Sequence, residues 1–137
     1  MSGQMYGHEE LRPPRSAAVT AVGVDHVRLS YHYLDIGDAE GYGSLLDDDI
    51  ELRHPGSPRG FGRAEVLRAY DAAGRPPGRR DVHRIHRIVA EGDHVVALGR
   101  LIRRPGLRED LDFADHFTLS PEGMLLSCRR YYCTPPG

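Results

Sequence analysis

The chain has no lysine. All 18 of its basic residues are arginine, and 20 acidic residues bring the formal net charge to −2. It therefore lacks the single-signed excess that draws a protein to nucleic acid or to anionic membranes, and neither partner is expected. Long apolar runs are also missing. None approaches the roughly 20 residues of a membrane span, and the opening "MSGQMYGHEELRPPRS" carries no apolar signal core, so a cytoplasmic protein is expected. Cysteine is scarce: Cys128 and Cys133 stand five apart in a segment that reads as strand. That spacing separates their Cα atoms by about 16 Å, where a disulfide needs less than about 7 Å. With no C-x-x-C pair to suggest zinc, both read as reduced thiols.

What is present fits one domain. A chain of 137 residues, 39% hydrophobic and 28% charged, can bury roughly two-thirds of the surface its unfolded form exposes. Residues 1–16 are polar and aperiodic, with the break "RPPR", and read as a flexible arm before a single domain over 17–137. In "VDHVRLSYHYLDIGD", Val24, Val27, Tyr31 and Leu34 recur on one helical face, and Gly37 supplies a stop. Asp38 can cap a short second helix, "AEGYGSLL". A strand "DIELRHPG" puts Ile50, Leu52 and His54 on one face, and after the turn-rich "PGSPRGFG" comes a third helix, "RAEVLRAYDAAG", closed by Gly74 and "RPPGRR". The remainder reads as four strands, two joined at "EGD" and two at the turn "SPEG". The expected class is α+β, with the three helices covering one face of a mostly antiparallel sheet.

One strand poses a chemical question. In "LDFADHFTL", Leu111, Phe113, Phe117 and Leu119 share a face, and Asp115 sits in the middle of that apolar row. An ionised carboxylate there costs several kcal/mol unless it is paired, so Asp115 must take up a proton or find a cation. If the "SPEG" turn pairs Leu119 with Met124, Asp115 faces Cys128 and lies diagonal to Arg130; a one-residue slip would bring Arg129 inward instead.

The run "YHYLDIGDAEGYGSLLDDDIELRHPG", with "DFADHFTLSPEGMLLSCRRYY" near the end, resembles the ketosteroid isomerase-like and SnoaL-like proteins of the nuclear transport factor two-like superfamily. Among these it looks most like members from actinobacterial natural-product clusters of the enediyne type. The resemblance covers about residues 24 to 133 and implies a cone-shaped α+β barrel, its curved sheet covered by the three helices around a conical pocket, a homodimer through the outer sheet face, and an enzyme needing neither metal nor cofactor. The same fold serves isomerases, cyclases, dehydratases, epoxide hydrolases and binding proteins, so function must be argued from the site.

The isomerases' base is a carboxylate just before a proline; here that position is His54, a departure, although imidazole with a reference pKa of about 6.5 can take a proton near neutrality. Asp115 matches the oxyanion-hole aspartic acid, whose protonated form donates to the enolate in ketosteroid isomerase. Tyr31 lies one residue past the isomerases' phenol donor, whose position is held by Ser30. Catalytic candidates are therefore His54, Asp115 and Tyr31. The expected lining is Leu34, Leu52, Phe61, Phe113, Phe117, Leu126, Arg130 and Tyr132, mostly apolar, for a hydrophobic oxygenated ligand. The leading expectation is an isomerase or aldol cyclase that enolises a polyketide-like or polyene-like intermediate. A noncatalytic carrier or shielding protein, or a dehydratase, is the alternative. Epoxide hydrolases of this fold use an Asp-Arg-Asp array, and Phe113 and Arg130 stand where its Arg and second Asp would fall. "HRIHRI" is not read as a metal site, since His83 and His86 fall on opposite strand faces, and His116 faces away from Asp115.

Overall fold

The computed structural model describes residues 17–73, 81–103 and 109–133. The arm read over 1–16, the helix stop at Gly74 and the C-terminal tail lie outside the described residues. Helix α1 (Ala17–Ile36) is followed by α2 (Ala39–Gly43), β1 (Leu46–Arg53), β2 (Gly60–Phe61), α3 (Arg63–Ala73), β3 (Val82–Glu91), β4 (His94–Ile102), β5 (Leu111–Leu119) and β6 (Leu125–Tyr132).

Local chemistry sets the helix boundaries. Gly37, at a φ of 78°, ends α1; its N–H bonds Leu34 O, while the Asp38 N–H bonds Tyr33 O, the paired contacts of a glycine-terminated helix. Asp38 then accepts from the Gly41 N–H and caps α2. Helix α1 buries Gly23, Val27, Ser30 and Tyr31 against the sheet. A Cβ built on Gly23 would sit 2.2 Å from Leu119 Cδ1, so this glycine lets the helix lie close on β5.

The six strands run in the order β2-β1-β6-β5-β4-β3, all antiparallel except β1 against β6. The α+β fold is as expected, a curved, mostly antiparallel sheet with three helices; the sheet is not closed, and β2 and β3 are its two edges. The parallel β1–β6 pairing aligns Leu52 with Cys128 and Arg53 with Arg129, so the end of β1 reaches the middle of the sheet. The core includes Val27, Ile50, Val95, Phe113, Leu119 and Leu125.

Two expectations are corrected here. The segment read as a turn contains β2, whose Phe61 pairs with Glu51 and shares its outward face; at 52% exposure Phe61 is not a pocket wall. The hairpin register also differs from the one expected. Leu119 pairs with Leu125, Thr118 with Ser127 and Asp115 directly with Arg130, which leaves Leu126 as the extra residue of a bulge. The Ser120 hydroxyl accepts from the Glu122 and Met124 N–H groups and shapes this turn. The bulge switches strand parity, so Leu125 and not Leu126 points inward, while Arg130 keeps the inward face.

Candidate active site

Asp115 on β5 is 1% exposed, and it finds a cation. Its Oδ1 accepts from Arg130 Nε at 2.8 Å and its Oδ2 from Arg130 Nη2 at 2.7 Å, a two-pronged fork between directly paired residues of neighbouring strands. Oδ2 also accepts from the Tyr31 hydroxyl on α1 at 2.7 Å. Three donors thus converge on the carboxylate, which is the ionised form's role. The guanidinium, on a residue 6% exposed, lies 4.2 Å from the centre of the Phe113 ring, so its flat face is covered as well. Burial works to lower the Arg130 pKa, but the hydrogen bonds and charge of Asp115 raise it overall.

This arrangement corrects one transferred role. A carboxylate forked by an arginine cannot donate a hydrogen bond to an enolate, and the Tyr31 hydroxyl already donates to Asp115. Burial, then the Asp115 charge, pushes the Tyr31 phenol well above its ordinary value, so it stays protonated in that bond. Positive potential at the site comes from Arg130, whose Nη1 lies outside the fork.

His54 follows the last residue of β1, level with Arg130. Burial, then the charge of Arg130, pushes the imidazole down to about 4, with Asp115 opposing and His83 adding. It is therefore neutral at pH 7 and can accept a proton. A ring nitrogen of His54, a carboxylate oxygen of Asp115 and Cys128 Sγ all lie within 4.8 Å of one another. Such donors could in principle hold a metal, but both oxygens of Asp115 are engaged and the guanidinium beside them repels a cation. Burial, then Asp115, raises the Cys128 thiol well above its usual value, so it is a poor thiolate ligand.

His54 and Arg130 border two spaces. The inner hollow has a volume of about 20 Å³ and is lined by Tyr31, Leu34, Leu52, Asp115 and Phe117, among others. A water needs roughly 10–15 Å³, so this space has room for a water and not for a ligand. The outer cleft has a volume of about 470 Å³ and is lined by Arg53, His54, Pro55, Ser57, Arg59, Arg129, Arg130, Tyr131 and Tyr132. In place of a ligand-sized cone there is a small, mostly apolar hollow with Asp115 and Arg130 in its wall, and an arginine-rich vestibule outside it. Of the expected lining, Leu34, Leu52 and Phe117 border the hollow, Arg130 borders both spaces and Tyr132 the cleft, while Phe113 lies beneath Arg130 in the core.

Sequence reading does not find one neighbouring pair. His83 at the start of β3 directs Nδ1 to Asp35 Oδ1 at 2.7 Å, and Asp35 also accepts from the His83 backbone N–H. The ring lies 5.1 Å from that of Tyr31 and edge-on to Phe113. Parity shows that His83 faces inward, but nothing local links a helix-end aspartate to a strand 48 residues on. The other histidine expectations are consistent with the placement: His86 is exposed, and His116 stacks on His94 on the opposite face from Asp115.

The fold, a curved, open α+β sheet with helices over one face, is similar to that of an NTF2-like protein of unknown function from Cytophaga hutchinsonii, with 14% identity, 80% of this chain and 88% of that one covered, and a TM-score of 0.65. The model of the SnoaL-like domain matches residues 27–127, and the chain belongs to that family. Solved structures of similar fold include a candidate ketosteroid isomerase from Kribbella flavida, with 21% identity, 86% of this chain and 85% of that one covered, and a TM-score of 0.69. A candidate polyketide cyclase from Sinorhizobium meliloti is 19% identical over 78% of this chain and 94% of that one, with a TM-score of 0.63. TerC, co-crystallised with polyporic acid, is 21% identical over 81% of this chain and 91% of that one, with a TM-score of 0.65. At these identities the likeness is one of fold. No curated protein matches the sequence.

Proposed function

We propose that the protein is a cofactor-independent enzyme of cytoplasmic secondary metabolism, an isomerase or aldol cyclase that enolises an oxygenated small molecule. The observation that supports this reading best is a neutral imidazole on the wall between cleft and hollow, beside a guanidinium whose own counter-ion is locked behind it. His54 takes the proton from carbon, and Arg130 stabilises the enolate oxygen, with Asp115 and Tyr31 fixing the guanidinium. The electrostatics favour the transition state over the ground state. Arg130 disfavours a proton on His54 in the empty site, and negative charge developing between the two groups relieves that repulsion. A base near pKa 4 suits an acidic C–H; the carboxylate base of ketosteroid isomerase, at about 4.6, works in the same range.

The low basicity of His54 also supports a second reading, a carrier that holds its ligand unchanged. The two are separated by incubating the protein in deuterium oxide with cyclic 1,3-diones and β-keto acids and following exchange at the α-carbon by proton NMR. The enzyme reading expects catalysed exchange that His54→Ala reduces at least about a hundredfold, the span of general-base catalysis. Ligand retained without exchange, or exchange indifferent to His54→Ala, overturns it. The reading includes a homodimer through the outer sheet face, where Val89 and Leu98 are exposed, to be checked by sedimentation.

A further inference from the structure

The charges around the outer cleft are unequal. Four of its nine lining residues are arginines and none is acidic. Glu51, outside the lining, lies 2.7 Å from Arg59 and 3.9 Å from Arg53, so a single carboxylate serves two guanidiniums. Asp115 is committed to Arg130. Arg129 forms no ion pair among the described residues; its guanidinium lies 5.2 Å from the centre of the Tyr131 ring. Four guanidiniums thus face two carboxylates, of which Asp115 is buried behind the cleft and Glu51 lies outside its lining. A concave wall of one sign on a low-dielectric base concentrates potential of that sign. The chain as a whole is slightly acidic, so this surplus is local.

We propose that the cleft binds an organic anion, a planar aromatic or conjugated molecule carrying a carboxylate or an acidic enol, and that this is the substrate class of the enolising reaction. The inference rests on that reading for its placement at His54 but not for the charge itself. The volume, about 470 Å³, suits a molecule of two or three fused rings. Tyr131, Tyr132 and Pro55 supply flat apolar contact, and the guanidiniums can both stack on a conjugated ring and fork an oxygen pair. The anion's charge adds a consequence for the reaction. An anionic head seated on Arg129 and Arg59 leaves Arg130 and His54 facing the far part of the molecule, so the acidic group serves as a handle and the enolising carbon lies toward the hollow.

The test uses the full chain and a matched pair of probes, 1-hydroxy-2-naphthoate and its neutral methyl ester, titrated by calorimetry. At about 0.1 M salt, where the Debye length is about 10 Å, the acid is expected to bind at least tenfold tighter than the ester. At about 1 M salt, where that length is about 3 Å, the ratio should fall most of the way to one. Arg129→Gln and Arg59→Gln should each cut the ratio severalfold. Arg100→Gln, which removes a charge paired with Asp112 on the outer face, should leave it unchanged. Equal affinity for acid and ester, no binding of either at millimolar concentration, or a ratio indifferent to Arg129 and Arg59 overturns the proposal. His54→Ala separates this result from the reaction: an anion-selective cleft without deuterium exchange keeps the ligand class and rejects the enzyme, whereas exchange confined to neutral substrates does the reverse.

Discussion

Removing one partner of the Asp115–Arg130 pair should damage the protein more than removing both. The fork joins residues that are 1% and 6% exposed, at distances of 2.7 and 2.8 Å, so both charges are largely shielded from water. At an effective dielectric constant of about 20, two unit charges about 4 Å apart attract by about 4 kcal/mol, and the loss of one leaves the other's desolvation uncompensated. Asp115→Asn and Arg130→Met should each lower the unfolding free energy by about 3–5 kcal/mol, a large share of the 5–15 kcal/mol typical of a domain. Arg130→Met leaves the carboxylate with only the Tyr31 hydroxyl, and Asp115→Asn leaves a guanidinium over Phe113 with no counter-charge. The double variant Asp115→Asn/Arg130→Met removes both charges and should lie within about 2 kcal/mol of the parent chain, giving a coupling of at least about 4 kcal/mol. Urea unfolding of the four proteins at one pH, followed by circular dichroism, measures the cycle. Single variants that each cost under about 1 kcal/mol and add independently would mean that the pair is solvated, and the argument for a buried ion pair beside His54 would fail.

His54 links pH to stability. Its folded pKa lies near 4 against an ordinary 6.5, so between those values the unfolded chain binds a proton that the folded chain refuses. Stability is therefore complete above about pH 7 and falls as pH drops from 6.5 toward 4, by at most about 3 kcal/mol, part of which solvent at the cleft mouth screens. His54→Gln should flatten that portion of the profile in urea melts; parallel profiles, or a His54 ring proton titrating near 6.5 by NMR, would contradict it. The thiols should differ sharply: Cys133 is exposed, whereas Cys128 is buried with its ionisation suppressed. Iodoacetamide in slight excess should modify one cysteine quickly and the other at least about a hundredfold more slowly, and equal rates would show the hollow open to reagents.

Much of this geometry is legible one element at a time. The period of α1 places Tyr31 inward, alternation in β1 places His54 with Ile50 and Leu52, and the apolar row of β5 identifies Asp115 as buried and in need of a partner. Pairing between elements is harder to read. The register of the last hairpin depends on a side chain, Ser120, holding two backbone N–H groups, and on an unpaired Leu126; neither leaves a periodic signal. Arg130 still comes out facing inward in both the expected and the observed register because the two differ by an even shift around Asp115. The cleft is invisible to periodicity for a related reason: its arginines come from a strand end, a turn and two neighbouring residues of β6, and only the β1–β6 pairing collects them.

That unpaired Leu126 works as an expansion joint. The turn side of β6 delivers Leu125 to the interior while the far side delivers Cys128 and Arg130, three and five residues later, and a perfectly regular strand could not serve both ends at once. Slack stored at one position lets the connecting loop gain or lose length without rotating the chemistry-bearing half out of place, so the two ends of the hairpin are free to diverge separately.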